Sequence, residues 1–593
     1  MSLAVKEVDQ NVVLPLPARL RAFRKSRGLS VDAMSGMLGV PLYTLRRWEV
    51  GTSRPGVDDA VHLRELGFEI DANETNAASR SRIKADPKGE ATRQHKLPER
   101  DGLLSGATIP SWMTNGPPDQ DEFHEKLIAL QIEPLKQGAF EPERLSLIDE
   151  VSAGKKTYQS LLEAPKAKAA SWNSNYGSHG WHRYIGRFPP HLVRALLNHF
   201  GAQPGSVVLD PFAGSGTTAV ECRLLGLRFV GVEICALSHL MCRTKAGFVP
   251  DASILAGLAQ RYEESMSSLS QAALEALPRN FQVSDVLAMD GNVLESFTNI
   301  EKWFTPQALL GVQLTMQFGQ QLAGFERDAL HLALSAKMRS IGNLDVDVVR
   351  AEYSKKPRVD VNVGRLVTAQ LKKMGRNVAE MIASHAPTLG RPADIRVIEG
   401  SALDADIPEG SVDYVITSPP YGVEAISYLR THLLSYRSLS SVLSHDPYET
   451  RDQTIGSEYL EESKLPQRLE IASASSSFVR YFEGLPAPAD KNARLRQIAM
   501  MKFFEDMHHI GKHLAYWMKD GGRAAFVIGN KRLGETIVPT DKIIEESFAS
   551  SGLDLYESIR HKLKTNNSNS QVPWQERIIQ EEATLLFRRR ARA

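Results

Sequence analysis

Along residues 15 to 70 the apolar positions recur at helical spacing in three short bursts, LPARLRAFRKSRG, SVDAMSGMLG and PLYTLRRWE. Ser30 suits the cap of the second helix, Gly39 breaks it, and Pro41 fits the first turn of the third, where a missing N–H costs nothing. Three short helices with a tight turn between the last two are expected. From 71 to 110 the periodicity disappears into polar residues punctuated by Gly, Pro and Ser. Between 75 and 100 this stretch carries Arg80, Arg82, Lys84, Lys88, Arg93, Lys96 and Arg100 against Asp86, Glu90 and Glu99. It reads as a flexible basic linker.

The main body, 111 to 593, alternates apolar strands with helical patterns. Its clearest strands are SVVLD, LRFVGVE, DIRVIEG, VDYVITS and GRAAFVIGN, with PPHLVRALLNHF and TDKIIEESFASSG among the helices. That alternation predicts an α/β fold with a mostly parallel, doubly wound sheet. The last two strands, LDLYESIRHKL and EEATLLFRRR, have no helix between them and are expected as an antiparallel hairpin at one edge. Two segments interrupt the pattern: a mainly helical insert at 245 to 394 and a polar stretch at 437 to 500.

Composition narrows the picture in only a few places. Lys and Arg total 71 against 70 for Asp and Glu, so the net charge of +1 announces no polyanionic partner and any basic surface must be local. The cysteines Cys222, Cys235 and Cys242 lack C-x-x-C spacing, which speaks for a reducing compartment and small apolar packing rather than a disulfide framework or zinc. His179 and His182 have ligand-like spacing but no Cys or carboxylate nearby, so no metal is expected. With no apolar run long enough to span a membrane and charges in the first ten residues, a cytoplasmic location is expected.

Chemistry enters where SVVLD runs into PFAGSGTTAVECRLLG. Gly214 and Gly216 sit on the turn from strand to helix, where glycine lets the backbone approach a ligand closely. Glu233 ends the next strand, in a position suited to accept both hydroxyls of a ribose. Together they imply a nucleoside ligand. The spacing Gly214-x-Gly216-x-x-Ala219 also satisfies a loose dinucleotide fingerprint, so that alternative stays open at this point.

The strand VDYVIT leads into Ser418-Pro419-Pro420-Tyr421. Consecutive prolines fix the backbone and remove two N–H donors, leaving carbonyl oxygens to point outward. A hydroxyl, a rigid carbonyl and an aromatic ring suit a flat base with an exocyclic amine: Ser418 and the Pro419 carbonyl can accept from the NH2, and Tyr421 can stack on the ring.

In combination DPFAGSGTT and TSPPY resemble the motifs of amino-group DNA methyltransferases, which methylate cytosine N4 or adenine N6. The resemblance spans roughly 170 to 590 with interruptions and implies a Rossmann-like methyltransferase sheet, S-adenosylmethionine as cofactor and flipping of the target base out of double-stranded DNA. It assigns Asp210, Phe212, Gly214, Gly216 and Glu233 to the cofactor. WHRYIGRFPPHLVRALLNHF, carrying Arg187 and Phe188, is similar to the segment that embraces the cofactor's methionine end, and Asp404 stands where family members direct an acid at its adenine. Ser418, Pro419, Pro420 and Tyr421 would be the catalytic loop. Cytosine N4 is favoured over adenine N6 because Ser before Pro-Pro is commoner in the cytosine enzymes. The order of motifs departs from many N4-cytosine enzymes, which place SPPY first, so either 245 to 394 or 437 to 500 could contact DNA.

The stretch LSVDAMSGMLGVPLYTLRRWEVGTSRP resembles the helix-turn-helix of Cro and phage-repressor regulators. That likeness implies that Tyr43, Thr44, Arg46 and Arg47 face DNA while Leu45 and Trp48 pack inward. A modification enzyme located in the cytoplasm at the nucleoid, with a restriction nuclease or defence partner, is the expectation. Two alternatives differ in substrate or class: a tRNA guanosine-N2 methyltransferase, and a regulator whose methyltransferase-like body senses a nucleoside.

Overall fold

The computed structural model describes positions scattered over 16–70 and most of 174–592, with short breaks of which 563–580 is the longest. Two compact units are present, Met1–Glu99 and Arg100–Ala593. In the first, the helix Leu16–Ser26 contributes Leu16 and Leu20 to a core shared with Met34, Leu38, Leu45, Trp48, Leu63 and Phe68. Leu45 and Trp48 are buried, as their spacing requires. Ser30, Gly39, Pro41, Tyr43, Thr44, Arg46 and Arg47, like the whole of 71–173, lie outside the described residues.

The second unit is built on strands β1 Val207–Asp210, β2 Arg228–Glu233, β3 Ile395–Glu399, β4 Val412–Thr417, β5 Met518–Gly529, β8 Leu553–Lys562 and β9 Glu581–Arg589. A two-residue hairpin, β6 Arg532–Leu533 with β7 Thr536–Ile537, stands apart. The main sheet has the order β3-β2-β1-β4-β5-β9-β8, parallel from β3 to β5 and antiparallel beyond. The expected terminal hairpin is present, with β9 inserted between β5 and the edge strand β8.

Side chains alternate across each strand, so one strand supplies two cores. Val208, Ile416 and Ala525 face a core shared with Leu192, Val220 and Leu240, whereas Leu209, Val415 and Phe526 face one shared with Phe503, Ile510, Ile543 and Phe548. Helices Pro190–His199, Thr217–Leu225 and Ala236–Ala246 cover the first face; Lys491–Trp517 and Thr540–Ser550 cover the second.

The insert at 245 to 394 continues the first core. Its helices Ala252–Ala276, Pro306–Gly319, Gly324–Ile341 and Val363–Leu389 bury Leu258, Val312, Leu332 and Val367 there. From the polar stretch, Ile471 and Phe478 join the second core. Both inserts are therefore anchored to the sheet by apolar contacts.

Candidate active site

Strand order reverses beside β1, which has β2 on one side and β4 on the other. In an open parallel sheet this switch point leaves a crevice at the carboxyl ends of the strands, because successive connections depart to opposite faces. A cavity of about 550 Å³ lies there, lined by the turns after β1, β2, β3 and β4. That volume suits a small organic ligand or nucleoside.

One half of the cavity is organised by Asp210 and Glu233. Asp210 Oδ1 accepts from the Thr417 hydroxyl at 2.6 Å and the Phe212 N–H at 3.1 Å, and Oδ2 accepts from the Thr218 hydroxyl at 2.7 Å. Burial pushes its carboxyl up to about 6 in spite of these donors. Glu233 Oε2 accepts from the Gly214 N–H at 2.7 Å and Oε1 from the Cys235 N–H at 2.8 Å. Burial, reinforced by the nearby Asp210, raises Glu233 to about 7. Each carboxylate oxygen has a second lone pair, so Glu233 can still accept two hydroxyl protons from the cavity side.

The glycines do different work. Gly214 has φ +51, in the left-handed region, and a Cβ there would lie 3.8 Å from the Tyr184 ring. Gly216, at φ +84, does not line the cavity; a Cβ there would lie 2.7 Å from Cys242 Cα. It lets the turn close onto the helix Ala236–Ala246.

Arg187 and Phe188 line the same half. The Arg187 guanidinium donates to the carbonyls of His179 at 2.7 Å and Ser174 at 2.6 Å and to Asn175 Oδ1 at 3.1 Å, which folds its own segment around it. That segment is further held by Glu221, whose Oε1 meets the Tyr176 hydroxyl and, at 2.8 Å, His179 Nε2, while Arg194 donates to Oε2 at 3.1 Å. Burial lowers His179 to about 4, so near neutral pH this contact is a hydrogen bond rather than an ion pair. His182 Nε2 lies 2.8 Å from the Ser335 hydroxyl. The two histidines thus have structural partners, and no cluster of three metal-binding side chains occurs among the described residues.

The other half holds Ser418, Pro419, Pro420, Tyr421 and Gly422. The Ser418 hydroxyl donates to the Tyr421 oxygen at 3.2 Å, and the Tyr421 hydroxyl donates to Glu582 Oε1 at 3.1 Å. Gly422 has φ +111, and a Cβ on Gly456 would meet its carbonyl at 2.4 Å, so the chain around 450–457 lies directly on this loop. Thr450, Gln453, Thr454 and Ile455 consequently line the cavity, as do Lys531 and Glu582. Lys531 donates to the Val423 carbonyl at 2.8 Å.

Besides Gly216, a second residue expected at the cofactor lies away from the cavity. Asp404 is exposed and is not among the residues lining the cavity; Ser401 and Ala402 line it instead. The reason is local: the Asp404 N–H bonds back to the Ser401 carbonyl, and this turn carries the carboxylate toward solvent. The residues that sequence reasoning missed come from segments without motifs. Glu582 had a topological signal, because an antiparallel last strand begins at the carboxyl edge of its parallel neighbours; Glu582 pairs with Gly529, the last residue of β5.

Residues 118–236 match the N6/N4 methyltransferase family, described as DNA methylase. Over 484 residues, 76% of this chain and 91% of the relative, the protein is 25% identical to Type II methyltransferase M.BsoBI of Geobacillus stearothermophilus. It is 20% identical to Type II methyltransferase M.MvaI of Kocuria varians over 400 residues, 63% of this chain and 82% of that protein. A short match, 41% over 51 residues, covers 9% of this chain and 15% of a tRNA (guanine(10)-N2)-dimethyltransferase of Methanothermobacter thermautotrophicus. Together these similarities support a DNA methyltransferase of the amino-group class, and S-adenosylmethionine is the cofactor. The donor set fits that cofactor: an acid able to take two ribose hydroxyls, a left-handed glycine turn beside it, and a cavity large enough for a nucleoside.

Proposed function

We propose that this protein methylates the exocyclic amine of a base flipped out of double-stranded DNA, cytosine N4 in preference to adenine N6, within a restriction–modification context. The observation that carries the reading is the single cavity onto which both Glu233 with Gly214 and the Ser418–Tyr421 loop open. Glu233 holds the ribose hydroxyls, the Gly214 turn and Phe212 border the cofactor, Asp210 fixes the turn through its three donors, and Arg187 shapes the wall carrying Phe188.

When bound, S-adenosylmethionine would supply a methyl already activated on sulfonium sulfur, which would pass to the amine nitrogen as the S–CH3 electron pair stays on sulfur and one amine proton goes to water. The chain's own task is positioning. Delocalisation of the amine lone pair into the ring opposes attack, so acceptors at its N–H groups, Ser418 and the Pro419 carbonyl, turn the lone pair toward the cofactor. Tyr421 supplies an aromatic face for the base. Thr450, Gln453 and Thr454, from the polar stretch after the loop, lie beside that position and favour 437 to 500 as a DNA-contacting segment.

The N-terminal unit binds DNA independently in this reading, through Tyr43, Thr44, Arg46 and Arg47. Removal of residues 1–107 should then spare methylation while lowering DNA affinity and its salt dependence. For the main activity, incubation with labelled S-adenosylmethionine and either DNA or tRNA, followed by nucleoside mass spectrometry, should yield N4-methylcytosine. Only 6-methyladenine would change the target base. N2-methylguanosine in tRNA would favour the second reading, to which the short tRNA-methyltransferase match lends support. Cofactor binding without any methylated product would favour a nucleoside sensor.

A further inference from the structure

We propose that Glu582 is a positioning residue for the methyl acceptor: through Tyr421 it sets the direction of a hydrogen-bond chain that leaves Ser418 as an acceptor facing the exocyclic amine. This rests on the reading of the cavity given above. The chain runs Ser418 to Tyr421 to Glu582 at 3.2 and 3.1 Å, and Ser418, Tyr421 and Glu582 all line the cavity.

The direction follows from proton counting. A carboxylate can only accept, so the single Tyr421 hydroxyl proton is committed to Glu582. The Tyr421 oxygen then has lone pairs to offer, and the single Ser418 proton is committed to them. What Ser418 retains toward the cavity is lone pairs. An exocyclic amine presents N–H donors, and its nitrogen lone pair must be left free for attack; an acceptor at Ser418 meets both requirements. Were the chain reversed, Ser418 would donate toward the cavity and would match a carbonyl rather than an amine.

The fold explains why an acid from the far end of the chain can serve here. Because β9 runs antiparallel to β5, its first residues lie where the parallel strands end, and Glu582 sits opposite Gly529. A charged end also makes the adjoining bond stronger than a neutral one. A Gln at 582 occupies the same space but can turn its NH2 toward Tyr421 and donate, which reverses the chain.

The test uses the full chain and measures kcat, KM for DNA and cofactor affinity. Glu582→Gln should lower kcat tenfold or more, with KM for DNA and cofactor Kd within twofold of the parent; a merely structural role would move these together or not at all. Tyr421→Phe should act similarly, and Glu582→Gln combined with Tyr421→Phe should be no more than twofold slower than the slower single variant, because both cut one chain. Multiplying effects would overturn the proposal. Near-parental turnover of Glu582→Gln, with Ser418→Ala strongly impaired, would overturn it while leaving the reading of the site intact. If Ser418→Ala also turns over at the parental rate, the reading of the site itself fails.

Discussion

The two halves of the cavity are built in opposite ways. Around Glu233, the two carboxylates are held mainly within residues 207 to 235 through backbone, Gly214 N–H and Cys235 N–H to Glu233 and Phe212 N–H to Asp210, with the Thr417 hydroxyl as the one distant donor and Arg187 and Phe188 completing the wall. Around Ser418, the wall is gathered from the loop after β4, the chain at 450–455, Lys531 and Glu582. Most bonds of the first half are short-range, so its geometry is set largely by its own stretch of sequence. The second depends on long-range packing, and the Thr417 bond to Asp210 ties it to the first.

Breaking the Ser418 half should affect rate alone. Ser418→Ala removes one preorganised hydrogen bond where charge develops, about 3 kcal/mol or a hundredfold in rate. Single-turnover transfer of labelled methyl should show that loss while calorimetry finds cofactor affinity unchanged. Equal losses in both would merge the two halves into one site.

Breaking the Glu233 half should do the reverse. Glu233→Ala deletes a charged acceptor for two hydroxyls and should weaken cofactor affinity by about 2 kcal/mol, roughly thirtyfold. Unchanged calorimetric affinity in a folded variant would dismiss Glu233 as the ribose acceptor.

The titration of Glu233 sharpens the contrast. Its folded value, raised by burial from 4.5 to about 7, means that its stabilising contribution is complete below the unfolded value and is lost as pH rises through about 7. Between about pH 5 and about pH 8 the unliganded parent should therefore lose up to about 2 kcal/mol relative to Glu233→Gln. Melting curves of both proteins across that window would show it, and a parent that gains on the variant instead would mean that the carboxyl is not raised.

Rigidity at the turn predicts a stability effect. Gly216→Ala adds a Cβ 2.7 Å from Cys242 Cα at φ +84. Strain of this kind costs about 1 to 2 kcal/mol, readable as a lower Tm. A Tm equal to the parent's would show that the turn yields easily. The smallest effect is expected at Asp404, outside both halves: Asp404→Asn should leave cofactor affinity within twofold, whereas a tenfold loss would return that carboxylate to the site.

Much was legible in the sequence because the relevant forces are local. Short apolar runs alternating with helical patterns defined the strands of the sheet, and the missing helix between the last two foretold the antiparallel pair. Glycine at a strand end, an acid at the end of the following strand and a Ser-Pro-Pro-Tyr loop each express backbone geometry or chemistry that a few neighbouring residues determine. The direction of Asp404 was not legible, because motif position carries no information on which way a turn directs its side chain.

Tertiary structure alone decided the rest. That Glu582 meets Tyr421 depends on β9 inserting antiparallel between β5 and β8, and that Gln453 reaches the Ser418 loop depends on Gly456 packing against Gly422. The insert at 245 to 394 gave its helices to the sequence but not their place: only the apolar surface left on the first face of the sheet draws them into its core. Local propensity specifies an element; which elements become neighbours is settled by the burial of apolar area between segments far apart in the chain, a quantity that no short window of sequence contains.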